Sequence, residues 1–194
     1  MKSLRSPSTD ETKFWRPVGL GGVELAYTCF RRHAFPRHFH EEYVIAIMVQ
    51  GVERLRRSGT SELAPTGSLI LVNPGQVHEN STVGDTGFAY QTLYVPVDVV
   101  QRHLADAGLR AAPQPGFVQA IARDRETFEL LRELHGAVKQ WPWRSRSFFD
   151  GTLPCYRGRA SRHRYAAALH WSRNTWTLIL RRKFRSTSSP KLPI

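Results

Sequence analysis

Between residues 22 and 98 the chain is a succession of short apolar runs, each bounded by glycine or proline, and this punctuation sets the fold class. GVELAYTCFRR (22–32) alternates in part and is rich in strand-forming residues. EYVIAIMVQ (42–50) is apolar on both faces, as suits a strand covered on both sides, and Gly51 is expected to close it. VERLRRSG (52–59) reads as the next strand, ending in a turn at Ser58–Gly59. The run Leu69–Val72 lies between two Pro/Gly turns, and GFAYQTLYVPVD (87–98) is a further strand carrying Phe88, Tyr90 and Leu93. Many short strands with this spacing argue an antiparallel barrel or sandwich. The pattern then changes. Residues 96–108 open with Pro96, end just before Gly108 and space Val100 and Leu104 as a helix does. A Pro-rich loop follows at 112–116. DRETFELLRELHGAV (124–138) is the clearest helix: Asp124 is placed as its N-cap, and Phe128, Leu131, Leu134 and Val138 share one face.

The net charge of +12 is not spread evenly. Residues 1–138 hold 15 basic and 15 acidic side chains, whereas residues 139–194 hold 13 basic side chains and one acid, Asp150. Four of the five tryptophans also lie after residue 139. The basic total therefore says nothing about partners of the first 138 residues. No window approaches 18 uninterrupted apolar residues, so no membrane partner is expected. The polar start, MKSLRSPSTDETKFW, lacks an apolar signal core. Two distant cysteines, Cys29 and Cys155, fit a reduced, cytoplasmic setting. No nucleophile elbow, phosphate loop or cysteine pair is present.

The chemistry is concentrated in FPRHFHEEYVIAIMVQG (35–51) and LAPTGSLILVNPGQVH (63–78). On a strand, His38, His40 and Glu42 would point to one face. Gly67 and Gly75 permit positive-φ turns. His78 follows the second turn, from which its ring can turn toward the first two. Three imidazoles so gathered admit two readings: a site for iron(II) or zinc, or hydrogen-bonding groups for an organic ligand. Tyr43, Phe88, Tyr90 and Tyr94 are core or pocket wall. Glu41 and Glu42 read as a solvated start to a strand. His33, His103 and His135 are expected at the surface.

These two stretches together resemble the paired motifs of the cupin barrel, and more closely the sensor domain of AraC-type transcription regulators. The likeness covers roughly residues 14–138, including both helices. It implies a mainly β chain: a cupin-type double-stranded β-helix barrel followed by two α-helices, with an irregular basic tail. It divides the chain into a flexible arm (1–13), a ligand-binding and dimerisation domain (14–138) and a poorly ordered tail (139–194). By the resemblance, His38, His40, Tyr43 and His78 contact a small organic effector, the arm folds over it, and the protein is a binding module without catalytic residues and without a cofactor. Phe128, Leu131 and Leu134 either cover the barrel or form the contact of a homodimer. A metal-dependent cupin enzyme, a dioxygenase or isomerase holding iron or zinc on His38, His40 and His78, is the alternative. Such enzymes normally carry a glutamate four or five positions after the second histidine, where this chain has Val44 and Ile45.

A regulator of this kind continues into two helix-turn-helix units. Residues 139–194 contain no such phrase, so the chain is expected to stop short of a DNA-binding domain and to meet DNA through one it lacks, or non-specifically through tail charge. Writing WPWRSRSFFD (141–150) in common codons and shifting the frame yields an acid-balanced, helix-forming phrase. The expectation is an out-of-frame tail; a basic nucleic-acid or membrane-binding segment is the competing one.

Overall fold

The structure is a computed structural model of the 194-residue chain. It describes residues 10–17, 20–106, 115–139 and 146–147. Strands β1 (Glu11–Trp15), β2 (Glu24–Phe30), β3 (Ala34–His38), β4 (Tyr43–Arg57), β5 (Thr60–Pro65), β6 (Leu69–Val72), β7 (His78–Thr82) and β8 (Phe88–Val95) precede helix α1 (Val97–Asp106). The short β9 (Ile121–Ala122), helix α2 (Arg125–Lys139) and β10 (Arg146–Ser147) follow. All pairings are antiparallel. One sheet runs β10-β1-β2-β8-β4-β6-β9; the other places β7 between β3 and β4, and β4 between β7 and β5. The architecture is the mainly β barrel with two helices that the sequence predicts.

β4 belongs to both sheets. Residues 43–51 pair with β8, and 44–47 also pair with β6; residues 52–57 pair with β5, and 53–57 also pair with β7. The corner falls at Gly51, whose φ is +78°, next to a register shift between Met48 and Gln50. A Cβ at Gly51 would lie 2.0 Å from the Gly87 carbonyl oxygen, so only glycine lets the two backbones cross there. Gly51 thus bends a continuous 15-residue strand instead of closing it, a correction to the two-strand reading.

The apolar double face of β4 serves two cores. Tyr43, Ile45 and Ile47 join Leu25, Leu93, Val99, Leu104, Leu131 and Leu134 under the helices. Val44, Ala46 and Met48 turn the other way, into the barrel, with Leu55, Ile70, Val72 and Phe88. Strand period 2 assigns the faces.

α2 begins as expected: the Asp124 carboxylate accepts from the Thr127 N–H at 3.1 Å. Its apolar face is spent inside the chain. Leu131 is fully buried, Leu134 is buried, and Phe128 packs against the same cluster. Phe128, Leu131 and Leu134 thus pack against the sheet within the chain. His135, expected at the surface, is buried on this helix.

Residues 11–13 of the expected arm are strand, paired with β2. Asp10 precedes them, its carboxylate accepting from the Arg31 N–H at 2.8 Å, and residues 1–9 lie outside the described residues. So does the tail, apart from Lys139, which ends α2, and Arg146–Ser147, which pairs with Phe14 and Lys13.

Two substitutions test this construction. Gly51→Ala should lower the urea midpoint severely or prevent folding, because it combines left-handed strain with a backbone clash. Leu131→Ala should cost about 3 kcal/mol in equilibrium unfolding, the scale for emptying a filled core position. A residue whose work lay in a dimer contact would instead change sedimentation.

Candidate ligand-binding site in the barrel

Two turns assemble the histidines. Asn73-Pro74-Gly75-Gln76 closes with Gln76 N–H to the Asn73 carbonyl at 3.1 Å, Pro74 presetting its own φ and Gly75 taking φ +73°. The Gly75 N–H donates to the His40 carbonyl at 2.8 Å, fastening this turn to the segment between β3 and β4. Asn73 locks the turn from behind. Its Oδ1 accepts from the Phe117 N–H at 2.7 Å, and its Nδ2 donates to the Phe117 carbonyl at 3.0 Å. β7 then starts at His78, directly opposite His38 at the end of β3.

The three imidazoles converge as the spacing predicts. Ring centroids lie 5.0 Å apart for His38–His40, 4.3 Å for His38–His78 and 5.4 Å for His40–His78. β3 ends at His38, so His40 reaches the group from the connection, not along one extended strand with His38 and Glu42. His38 Nδ1 lies 2.7 Å from the Pro36 carbonyl and His78 Nδ1 2.9 Å from the Gln76 carbonyl. A carbonyl can only accept, so each Nδ1 carries a proton. Burial holds the His40 ring down at about 4, helped by the neighbouring His78 and His38. His78 is lowered chiefly by burial as well. At neutral pH His40 and His78 are therefore neutral imidazoles.

The donor set fits a metal in part. One nitrogen from each ring lies within 4.8 Å of the others, and small rotations would bring them to Zn–N distances of about 2.1 Å. No carboxylate stands at the usual fourth position: Val44 packs in the barrel core and Ile45 under the helices.

Tyr43 does not join the histidines. Its parity on β4 sends it to the helix side, where its ring meets Phe117 edge-on at 5.7 Å and its hydroxyl donates to the Pro115 carbonyl. Tyr94 takes the place expected of it, its ring 5.3 Å from His40. Tyr90 lies further in, stacked on Phe88 at 5.5 Å. Both tyrosines pack on the inner cluster yet keep part of their surface open.

Glu53 is the residue that sequence reasoning missed. It is fully buried, and neither carboxylate oxygen has a hydrogen-bond partner. Asn80 comes close enough to favour the charged form slightly, without completing a bond. Burial pushes the carboxyl up to about 7. Its charge reaches both tyrosines: Tyr94, pushed up to about 12 mainly by burial and then by Glu42 and Glu53, and Tyr90, raised well above its ordinary value mainly by burial and then by Glu53. The signal was the spacing to Leu55. Beyond the Gly51 corner, residues 53 and 55 share the inward face.

The structure is a β-barrel with an inward polar group, bedded on two helices. Residues 20–147 match the AraC-like ligand binding domain family, and the chain belongs to it. The match runs past residue 138, where the sequence reading placed the domain's end. An uncharacterised HTH-type transcriptional regulator, YbfI of Bacillus subtilis (strain 168), is 27% identical over 106 residues, 55% of this chain and 38% of that relative. The chain thus spans well under half the length of this curated relative. Similar solved structures include a cupin 2 conserved barrel domain protein from Salinispora arenicola, 20% identical, covering 52% of this chain and 87% of that one with a TM-score of 0.42. An RmlC-like cupin family protein with a double-stranded β-helix fold from Methanocaldococcus jannaschii is 16% identical, covering 47% and 84% with a TM-score of 0.42. Among the described residues no helix is long and apolar enough to cross a membrane.

Glu53 generates a stability prediction. A carboxyl whose folded pKa lies near 7, against about 4.5 when exposed, favours the folded state only while protonated. Glu53's own contribution should therefore fall as pH rises from about 4.5 to 7, by about 3 kcal/mol in total, while His40, held at about 4, contributes an opposing rise over much of the same range. The stability advantage of Glu53→Gln over the parent should therefore grow from pH 4.5 to pH 8, as read by urea unfolding of both proteins at each pH.

Proposed function

We propose that this chain is the small-molecule-sensing domain of an AraC-type transcription regulator. The observation that carries the reading is the polar group inside the barrel of a chain belonging to that ligand-binding family: His38, His40, His78, Tyr94 and Glu53 gathered on inward-facing positions. The neutral imidazoles of His40 and His78 offer acceptors, the tyrosine hydroxyl either role, and the apolar wall of Met48, Phe88 and Phe35 excludes water. The domain acts by binding and not by catalysis, in the cytoplasm, with DNA read by a helix-turn-helix partner domain or subunit. Homodimerisation would use a surface other than the buried face of α2, since Leu131 and Leu134 already work inside the chain.

One observation favours a second reading. The convergence of His38, His40 and His78 suits iron or zinc, and a metal there would supply Lewis acidity to a bound oxygen ligand. The side chains at 44 and 45 weigh against the enzyme form of this reading.

Thermal unfolding with a library of small organic metabolites, after metal analysis of the purified protein, separates the two. The sensor reading expects a metal-free protein whose Tm rises by roughly 5–10 °C with a compound at about a hundred times its Kd, less so in Tyr94→Phe. Stoichiometric iron or zinc that His40→Ala loses, with no compound stabilising the protein, overturns it.

A further inference from the structure

The sensor reading leaves Glu53 without a task. Its carboxylate is buried inside the barrel with both oxygens unpartnered. The arginines of the same hairpin look elsewhere. Arg57 pairs with Glu62 and Arg56 with Glu79, and among the described residues no ion pair reaches Glu53. A charge left alone in such a place is strongly unfavourable, so a group that supplies the counter-charge would be held tightly.

The surroundings narrow what that group is. Tyr90 and Tyr94 lie close enough to feel the carboxylate's charge. Phe88 stacks on Tyr90, and Phe30 stands edge-on to Phe88 at 6.1 Å and to Phe35 at 5.5 Å. A carboxylate set among aromatic rings is the arrangement that takes up an organic cation, by ion pairing at the nitrogen and ring contact along the carbon skeleton. An anionic ligand would be repelled. A polyol would need donors and acceptors around its whole rim, and here Asn80 is the polar neighbour of Glu53 while Tyr90 and Tyr94 present rings. The histidines lie further along the same half of β4, where Arg57 stands opposite His78. His78 offers Nε2 as an acceptor there and Arg57 a buried Nε–H without a partner, so that region suits the polar groups of a ligand.

We infer that the effector is a small organic amine, bound as its ammonium ion with the nitrogen on Glu53 and its carbon skeleton against Tyr90, Tyr94 and Phe88. This rests on the sensor reading of the same barrel and adds the ligand class to it.

The test is calorimetric titration and thermal unfolding of the full chain at pH 8 with benzylamine, phenethylamine and butylamine. Benzyl alcohol, phenethyl alcohol and butanol serve as neutral counterparts, and sodium benzoate and glucose as probes of other classes. The expected result is that at least one amine binds ten times or more tightly than its alcohol. In Glu53→Gln the preference should fall below threefold, while the unliganded Tm is no lower than that of the parent. An alcohol binding as tightly as its amine overturns the inference, as does an undiminished amine preference in Glu53→Gln. Stabilisation by benzoate or glucose alone, weakened in Tyr94→Phe, overturns the amine and leaves the sensor reading standing. Absence of any response to these probes overturns the amine inference, and the metabolite library then decides the sensor reading separately.

Discussion

The crossing of two backbones at Gly51 is the constraint on which this domain depends. β4 has to leave one sheet and enter the other without breaking its ladder, and it does so where the Gly87 carbonyl leaves no room for a side chain. The bend brings Glu53 and Leu55 to the inside, while Tyr43, Ile45 and Ile47 of the same strand face out to the helices. A barrel interior and a helix bed are thus made from one run of chain. Gly87 repeats the device one strand over: a Cβ there would lie 2.4 Å from the Phe30 carbonyl oxygen. Close backbone approach at a barrel corner is a use of glycine that no other residue can fill.

Much of this was legible in the sequence, for reasons that can be named. Periodicity located β2, β6, β8 and both helices, because each carries a complete apolar pattern between turn residues. Local chemistry located the Asp124 cap and the Asn73-Pro74-Gly75 turn, and from the turn followed the approach of His78 to His38 and His40. β1, β3, β5 and β7 were missed or merged because they are polar and half-exposed, so their apolar signal is weak. Tyr43 was assigned to the ligand by the resemblance to AraC-type sensors. Strand parity sends it to the opposite face, and that parity was already written in the alternation through Val44, Ile45 and Ala46. Glu53 was hidden by its arginine neighbours, since a charged hairpin reads as solvated until the corner at Gly51 is known.

The site divides its labour by protonation. His40 is held neutral by burial and by His78 and His38, His78 by burial and by His38, and the Nδ1 protons of His38 and His78 are held by backbone carbonyls two residues upstream. These are positions prepared to accept. Glu53 is the opposite case, a carboxyl strained by solitude and poised near neutrality. Two kinds of acceptor, one uncharged and one chargeable, sit on the inward face of the same barrel. That asymmetry gives a bound molecule a head and a tail, a property that apolar walls alone would not confer.

β8 carries a further implication. Tyr90 and Tyr94 point into the barrel, and Leu93 and Val95, between and beside them, point out onto the bed where α1 and α2 lie. A strand is one peptide thick, so its two rows of side chains share a single spine. The barrel interior and the bed under the helices are therefore separated by a single layer of backbone, and a substitution on one row of β8 is made one residue away from the other.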